Sequence, residues 1–233
     1  MIGIIGAMAE EVNAVLQYVE IKEVYKKLNY TFHVGTMSNH EVVVLQGGIG
    51  KVNTGIALTN LFEKYPIDFV INVGSAGGLD KAKESVGDVV IGEKIAYHDV
   101  NCTDFGYAPG QMPGNKSCYL YSDPKLIAIA KNALEALNLP VHSGLIASGD
   151  SFIAHKEQVE PILKLFPDAL CSEMEAMAVA QVCDVYAIPF IITRSLSDVF
   201  EKGDSGIQFD TYLQKASTNS ALMAKALVEN YEG

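Results

Sequence analysis

Arg194 and Asp198 lie at the end of an apolar run. Ile188-Pro189-Phe190-Ile191-Ile192-Thr193-Arg194 passes without a loop into Ser195-Leu196-Ser197-Asp198. The run reads as a buried strand of a mostly parallel sheet. An arginine and an aspartate there are expensive to half-bury unless they are paired or hydrogen-bonded. In open α/β sheets, ligands bind at the carboxyl ends of the strands. Asp198 is therefore a candidate acid, a carboxyl in a sheltered crevice able to hold its proton near neutral pH. An aspartate that caps the next turn accounts for the same segment equally well, and the segment alone leaves both open.

Cys171-Ser172-Glu173-Met174-Glu175 offers further carboxyls. On a strand, Glu173 and Glu175 share a face, and one carboxylate can accept from both vicinal hydroxyls of a ribose. An acidic first turn on the following helix is the simpler alternative. Glu10 and Glu11 follow the first strand and Met8. One of them fits as a helix N-terminal acid; the other is free to face the crevice, with Arg194 as the partner that keeps it ionised.

Gly48-Ile49-Gly50-Lys51-Val52-Asn53 supplies two glycines of a dinucleotide fingerprint, but Asn53 stands where the third belongs. The hairpin before it is also wrong for the first strand of a βαβ unit. A turn that lets a smaller ligand touch backbone is the better reading, and no nicotinamide or flavin cofactor is expected.

The elements that must position these groups follow from patterning. Strands are expected at 2–6, 30–37, 41–46, 69–73, 86–96, 144–147, 169–173 and 190–195, and helices at 9–18, 51–64, 124–137, 156–166, from 176, and at 209–229. Gly74-Ser75-Ala76-Gly77-Gly78 reads as a turn where backbone approaches something closely. Residues 99–122, rich in Gly and Pro, read as a long loop of the kind that is often functional. With 233 residues and 49% apolar content, the chain suits one α/β domain spanning 1–233.

Composition excludes other classes. A net charge of −11 with no basic run disfavours nucleic acid or an anionic membrane as partner. The short apolar start lacks a positive n-region and is interrupted by Glu10 and Glu11, so it is read as neither signal peptide nor membrane span. The four cysteines form no C-x-x-C pair and have no histidine at metal spacing. They read as reduced thiols of a cytoplasmic protein with no metal site.

Taken together, these segments resemble the 5′-methylthioadenosine/S-adenosylhomocysteine nucleosidases of the purine nucleoside phosphorylase superfamily, from Met1 to the last helix. The markers are Ile4-Ile5-Gly6-Ala7-Met8 with Glu10-Glu11, Gly48-Ile49-Gly50-Lys51-Val52, and Asn72-Val73-Gly74-Ser75-Ala76-Gly77-Gly78. Further on come Tyr97-His98-Asp99, Phe105-Gly106-Tyr107, Ser148-Gly149-Asp150-Ser151-Phe152-Ile153, Glu173-Met174-Glu175-Ala176 and Ser195-Leu196-Ser197-Asp198. The resemblance implies a single α/β domain with a central mixed twisted sheet flanked by helices. It also implies hydrolysis of the N-glycosidic bond of methylthioadenosine and S-adenosylhomocysteine, with 5′-deoxyadenosine as a further substrate and no cofactor.

By the same resemblance, Asp198 is the acid that protonates adenine, oriented by Ser197. Glu175 grips the ribose hydroxyls, and Glu11, held by Arg194, activates the water. Phe152 covers the adenine and the Ile153 backbone reads its edge, while Ser75, Gly77 and Met174 line the base and ribose site. Met8, Ile49 and Phe209 form the apolar slot for the 5′-alkylthio group. Phe105 and Pro113 reach the neighbouring subunit's slot, so a homodimer is implied. Ala9, Cys102 and Leu196 depart from the family pattern without removing a catalytic group.

Phosphorolysis is the rival chemistry on this fold. Phosphate needs cations, preferably arginines. Related phosphorylases carry an arginine just before the Gly-Ser turn, where this chain has Asn72, and no Lys or Arg precedes Lys22. Glu11 puts an anion in that region instead, so hydrolysis is expected.

Overall fold

The computed structural model describes residues 1–80, 82–137 and 139–232. Among these residues the strands are β1 (Ile2–Gly6), β2 (Glu20–Lys27), β3 (Tyr30–Met37), β4 (His40–Gln46), β5 (Phe69–Asn72), β6 (Ser75–Gly78), β7 (Val89–Tyr97), β8 (Tyr119–Tyr121), β9 (Val141–Ser148), β10 (Ala169–Glu173) and β11 (Phe190–Val199). The helices are α1 (Ala9–Leu16), α2 (Lys51–Lys64), α3 (Pro124–Ala136), α4 (Lys156–Leu165), α5 (Ala176–Tyr186) and α6 (Ser205–Glu229). The strands form one mixed sheet in the order β2-β3-β4-β1-β5-β11-β6-β10-β9-β7-β8.

β1 shows why the chain folds this way. All five of its residues are buried, as expected of a parallel strand covered on both faces. Ile5 packs in one cluster with Leu58 and Leu61 of α2 and Met177 of α5. Ile4 points the other way, into a cluster with Val12 and Val15 of α1 and Leu227 of α6. The period-2 alternation of an all-apolar strand thus fixes a helical layer on each side.

β11 is the pivot of the sheet. Its first half pairs with β5 and its second half with β6, while Ile192–Ser195 also pairs antiparallel with β7. This closes β11, β6, β10, β9 and β7 into a ring within the expected mixed twisted sheet, a closure that periodicity does not encode.

Several elements differ from expectation. β2 was not anticipated because its residues are almost all exposed, so neither of its faces carries an apolar signal. The Gly-rich stretch read as a turn contains strand β6, and β8 lies inside the stretch read as loop. β11 runs on through Asp198 instead of ending before it. α6 starts four residues earlier than 209 because Asp204 caps it, its carboxylate accepting from Ile207 N (3.0 Å). No helix of the described residues is long and apolar enough to cross a membrane.

Candidate active site

The carboxyl ends of β1, β10 and β11 open on one side of the sheet, where β6 and the turn before α2 complete the walls of a cavity of about 280 Å³. Met8, Glu11, Ile49, Ser75, Gly77, Phe152, Ile153, Met174, Glu175, Ser197, Asp198 and Phe209 all line it. Twelve residues nominated from the sequence therefore meet in one space, although they span the chain from 8 to 209.

Asp198 sits inside β11 just after an irregularity in its pairing with β6, where Asp198 lies opposite Gly77. A Cβ on Gly77 would come within 3.2 Å of Asp198 Oδ2, so the bare backbone there makes room for the carboxyl. Ser197 Oγ donates to Asp198 Oδ1 at 2.9 Å. Burial raises the Asp198 pKa, and the Ser197 and Ser205 hydroxyls pull it only part of the way back. Asp198 does not cap the next helix, since Asp204 does that.

Glu11 occupies the third position of α1 and folds back over its N-terminus. Its Oε2 accepts from Ala7 N (2.8 Å) and Met8 N (3.0 Å), and its Oε1 from Ser75 N (3.0 Å). Burial raises its pKa, while the N–H groups of Met8, Ser75 and Ala7 and the charge of Arg194 work in the opposite direction. One carboxyl thus combines the helix-start role with a place in the cavity wall, two roles the sequence had divided between Glu10 and Glu11.

The expectation that Arg194 holds Glu11 needs correction. Arg194 is 1% exposed and does not line the cavity. Its Nη2 donates to Asn72 Oδ1 (2.6 Å) and Glu173 Oε2 (2.5 Å), and its Nη1 donates to Thr193 O (2.9 Å). Its Nε has no hydrogen-bond partner, and the Glu11 oxygens accept from backbone N–H groups instead. Arg194 therefore pairs with Glu173 and reaches Glu11 only as a charge through space. Burial opposes its own charge, but Glu173, Glu175 and Glu11 outweigh that and keep it protonated.

Glu173 and Glu175 do not share a strand face. β10 ends at Glu173, and Glu175 is the residue that begins α5. The Glu173 carboxylate accepts from Glu175 N (2.9 Å) and Ala176 N (2.8 Å), so it is Glu173 that caps the helix. Glu175 Oε1 accepts from Gly50 N (2.8 Å), which leaves its other oxygen for the cavity. Gly50 can offer that N–H because it turns the chain at φ +90°, a conformation glycine adopts without strain. Burial, with Glu173 beside it, pushes the Glu175 pKa up to about 8. The ribose-binding and capping readings therefore belong to different residues.

A salt-bridge network holds the segment carrying Phe152 and Ile153. Lys51 Nζ meets Asp99 at 2.6 Å, Asp99 Oδ2 accepts from Asp150 N (2.9 Å), and Asp150 Oδ1 accepts from Lys51 N (2.8 Å). Phe152 stands edge-on to Phe209 at 5.6 Å across the mouth. Phe105 and Pro113 are exposed and lie outside this chain's own cavity. Ala7, Ala76, Ser151, Ser172 and Glu173 also line the cavity without having been assigned to it. All but Ser172 are immediate neighbours of an assigned residue, and Ser172 lies two before Met174, a signal that a strand-end rule applied to whole segments would have caught.

A profile of the phosphorylase superfamily matches residues 1–229. The 5′-methylthioadenosine/S-adenosylhomocysteine nucleosidase of Chromohalobacter salexigens is 44% identical over 229 residues, covering 98% of this chain and 96% of that one. The nucleosidase of that name from Neisseria meningitidis, solved in complex with methylthio-immucillin-A, superposes with a TM-score of 0.94 at 39% identity over 99% of both chains. The Colwellia psychrerythraea nucleosidase, solved in complex with adenine, gives 0.92 at 37% identity over 98% of this chain and 94% of that one.

Proposed function

This chain belongs to the phosphorylase superfamily and, within it, to the 5′-methylthioadenosine/S-adenosylhomocysteine nucleosidases, and we propose that it hydrolyses both of those nucleosides to adenine and the 5-thioribose. The observation that carries hydrolysis is the electrostatics of the cavity. Glu11, Glu173, Glu175 and Asp198 line it and, among the described residues, no Lys, Arg or His does. Such a space offers phosphate no cation to bind, and an ionised Glu11 suits activation of water.

The residues then have distinct work. Adenine leaves poorly as an anion, so Asp198, kept protonated by burial, gives its proton to N7 as the C1′–N9 bond breaks. Positive charge develops on the ribosyl ring, where Glu175, held by the Gly50 N–H, offers its other oxygen to the ribose hydroxyls. Glu11 takes a proton from the attacking water, whose oxygen bonds to C1′. Phe152 closes over the base, and Met8, Ile49 and Phe209 take the alkylthio group.

Adenine release from methylthioadenosine, measured with and without added phosphate, tests the reading. Equal rates with free thioribose as product are expected. Strict phosphate dependence, with a sugar phosphate as product, would make the chain a phosphorylase.

A homodimer completes the proposal. Ile49, Val52 and Ile56, at 52%, 72% and 43% exposure, form a stripe along α2 and the turn before it, and Val185 of the neighbouring α5 is 73% exposed. Exposed apolar residues on these neighbouring helices support an interface between two copies of the chain. Phe105, 83% exposed, supports the reading that it and Pro113 cover the partner's alkylthio slot. Phe105→Ala should lower kcat/KM for methylthioadenosine on the order of tenfold, the scale of one lost aromatic burial, while sedimentation still reports a dimer. Unchanged kinetics would remove Phe105 from the site. The four free thiols suit a reducing cytoplasm, which fractionation of cells expressing the protein can check.

A further inference from the structure

A second cavity, of about 600 Å³, adjoins the first between α1, the β2–β3 hairpin and the turn before α2. The two share a wall: Met8 and Ile49 line the first, and their chain neighbours Ala9 and Gly48 line the second. Across that wall Gln46, which faces the second cavity, donates from Nε2 to Ala7 O at 3.4 Å.

The linings differ in charge. The first holds four carboxyl-bearing residues. Among the described residues the second is lined by Lys26 and the amides of Asn13, Asn29, Gln46 and Asn53, and by no acid. Lys26 has no ion-pair partner among the described residues. His33 also lines this cavity, and its buried Nδ1 has no hydrogen-bond partner. In a chain of net charge −11, this is a place prepared for an anion.

The two nucleosides of the proposed reaction differ at this end of the molecule. Methylthioadenosine ends in a methyl group, whereas S-adenosylhomocysteine carries a chain ending in an α-amino acid. A carboxylate finds no cationic side chain in the first cavity, and the slot of Met8, Ile49 and Phe209 offers it no donor. Ala9, next to Met8 in sequence, puts only a methyl group on the wall between the two spaces. We infer that the second cavity seats the amino-acid end of the longer nucleoside, its carboxylate at Lys26 among the surrounding amides. This rests on the nucleosidase reading above.

The test compares S-adenosylhomocysteine with methylthioadenosine on the parent protein and on Lys26→Ala, Lys26→Glu and Lys26→Arg. Lys26→Ala should raise KM for S-adenosylhomocysteine about fivefold, the scale of a solvent-exposed ion pair. Lys26→Glu should raise it further and Lys26→Arg should restore it, with KM for methylthioadenosine unchanged throughout. In the parent, added NaCl should raise KM for S-adenosylhomocysteine alone. The subsite is overturned if Lys26→Ala leaves that KM within about twofold of the parent, if both nucleosides shift together, or if salt acts on neither. Failure of the parent to cleave either nucleoside would sink the nucleosidase reading itself; cleavage of methylthioadenosine alone would sink the S-adenosylhomocysteine half of that reading together with the subsite, whereas cleavage of both with no effect of Lys26 or salt would sink only the subsite.

Discussion

Asp198→Asn will fold like the parent and release adenine on the order of 10²–10⁴-fold more slowly, the loss typical of removing a general acid. Asparagine keeps the shape that fits against Gly77 and can still accept from Ser197 Oγ. What it lacks is an acidic proton for the purine. The pH profile separates this loss from a structural one. Asp198 donates only while protonated, and burial raises its pKa, so activity is present below that raised value and lost as pH climbs through it. The residual activity of Asp198→Asn should lack this alkaline limb. Near-parental turnover by the variant, with melting temperature unchanged, would take Asp198 out of the chemistry.

Glu11→Gln is the second large effect. Hydrolysis should fall by about 10²–10⁴-fold while methylthioadenosine still binds, because the amide cannot take a proton from water. Three backbone N–H groups point at the present carboxylate, two at Oε2 and that of Ser75 at Oε1. A glutamine therefore does best with its oxygen toward Ala7 and Met8 and its NH2 toward Ser75, at a stability cost of about 1–3 kcal/mol for the donor left facing a donor. The base works only when ionised, so parental activity should be lost as pH falls through the raised Glu11 value. Calorimetric titration with the nucleoside, beside the turnover assay, checks both halves. Unchanged rates would exclude Glu11 as the base, and lost binding would make its role structural.

Much of this was legible in the residues. The apolar runs at 2–6 and 69–73 and the run leading into Ser195 announce buried strands because burial on both faces leaves no room for alternation. The carboxyls after those strands stand out because so few positions near a core tolerate charge. β2 was silent because exposed residues on an edge carry no period. β6 was hidden because its glycines and serine are poor strand formers, kept there to leave space for Asp198.

Residue type and order alone determined which chemical groups are present and that they cluster at strand ends: acids suited to proton transfer, one arginine among them, and no basic run. Which acid does what was decided only by tertiary structure. Arg194 went to Glu173, Glu173 capped α5, and Glu175 was freed toward the cavity by a hydrogen bond from Gly50, a residue 125 positions away. A carboxyl's protonation depends on its burial and on donors brought from distant segments by strand register, and neither quantity exists until the chain has folded.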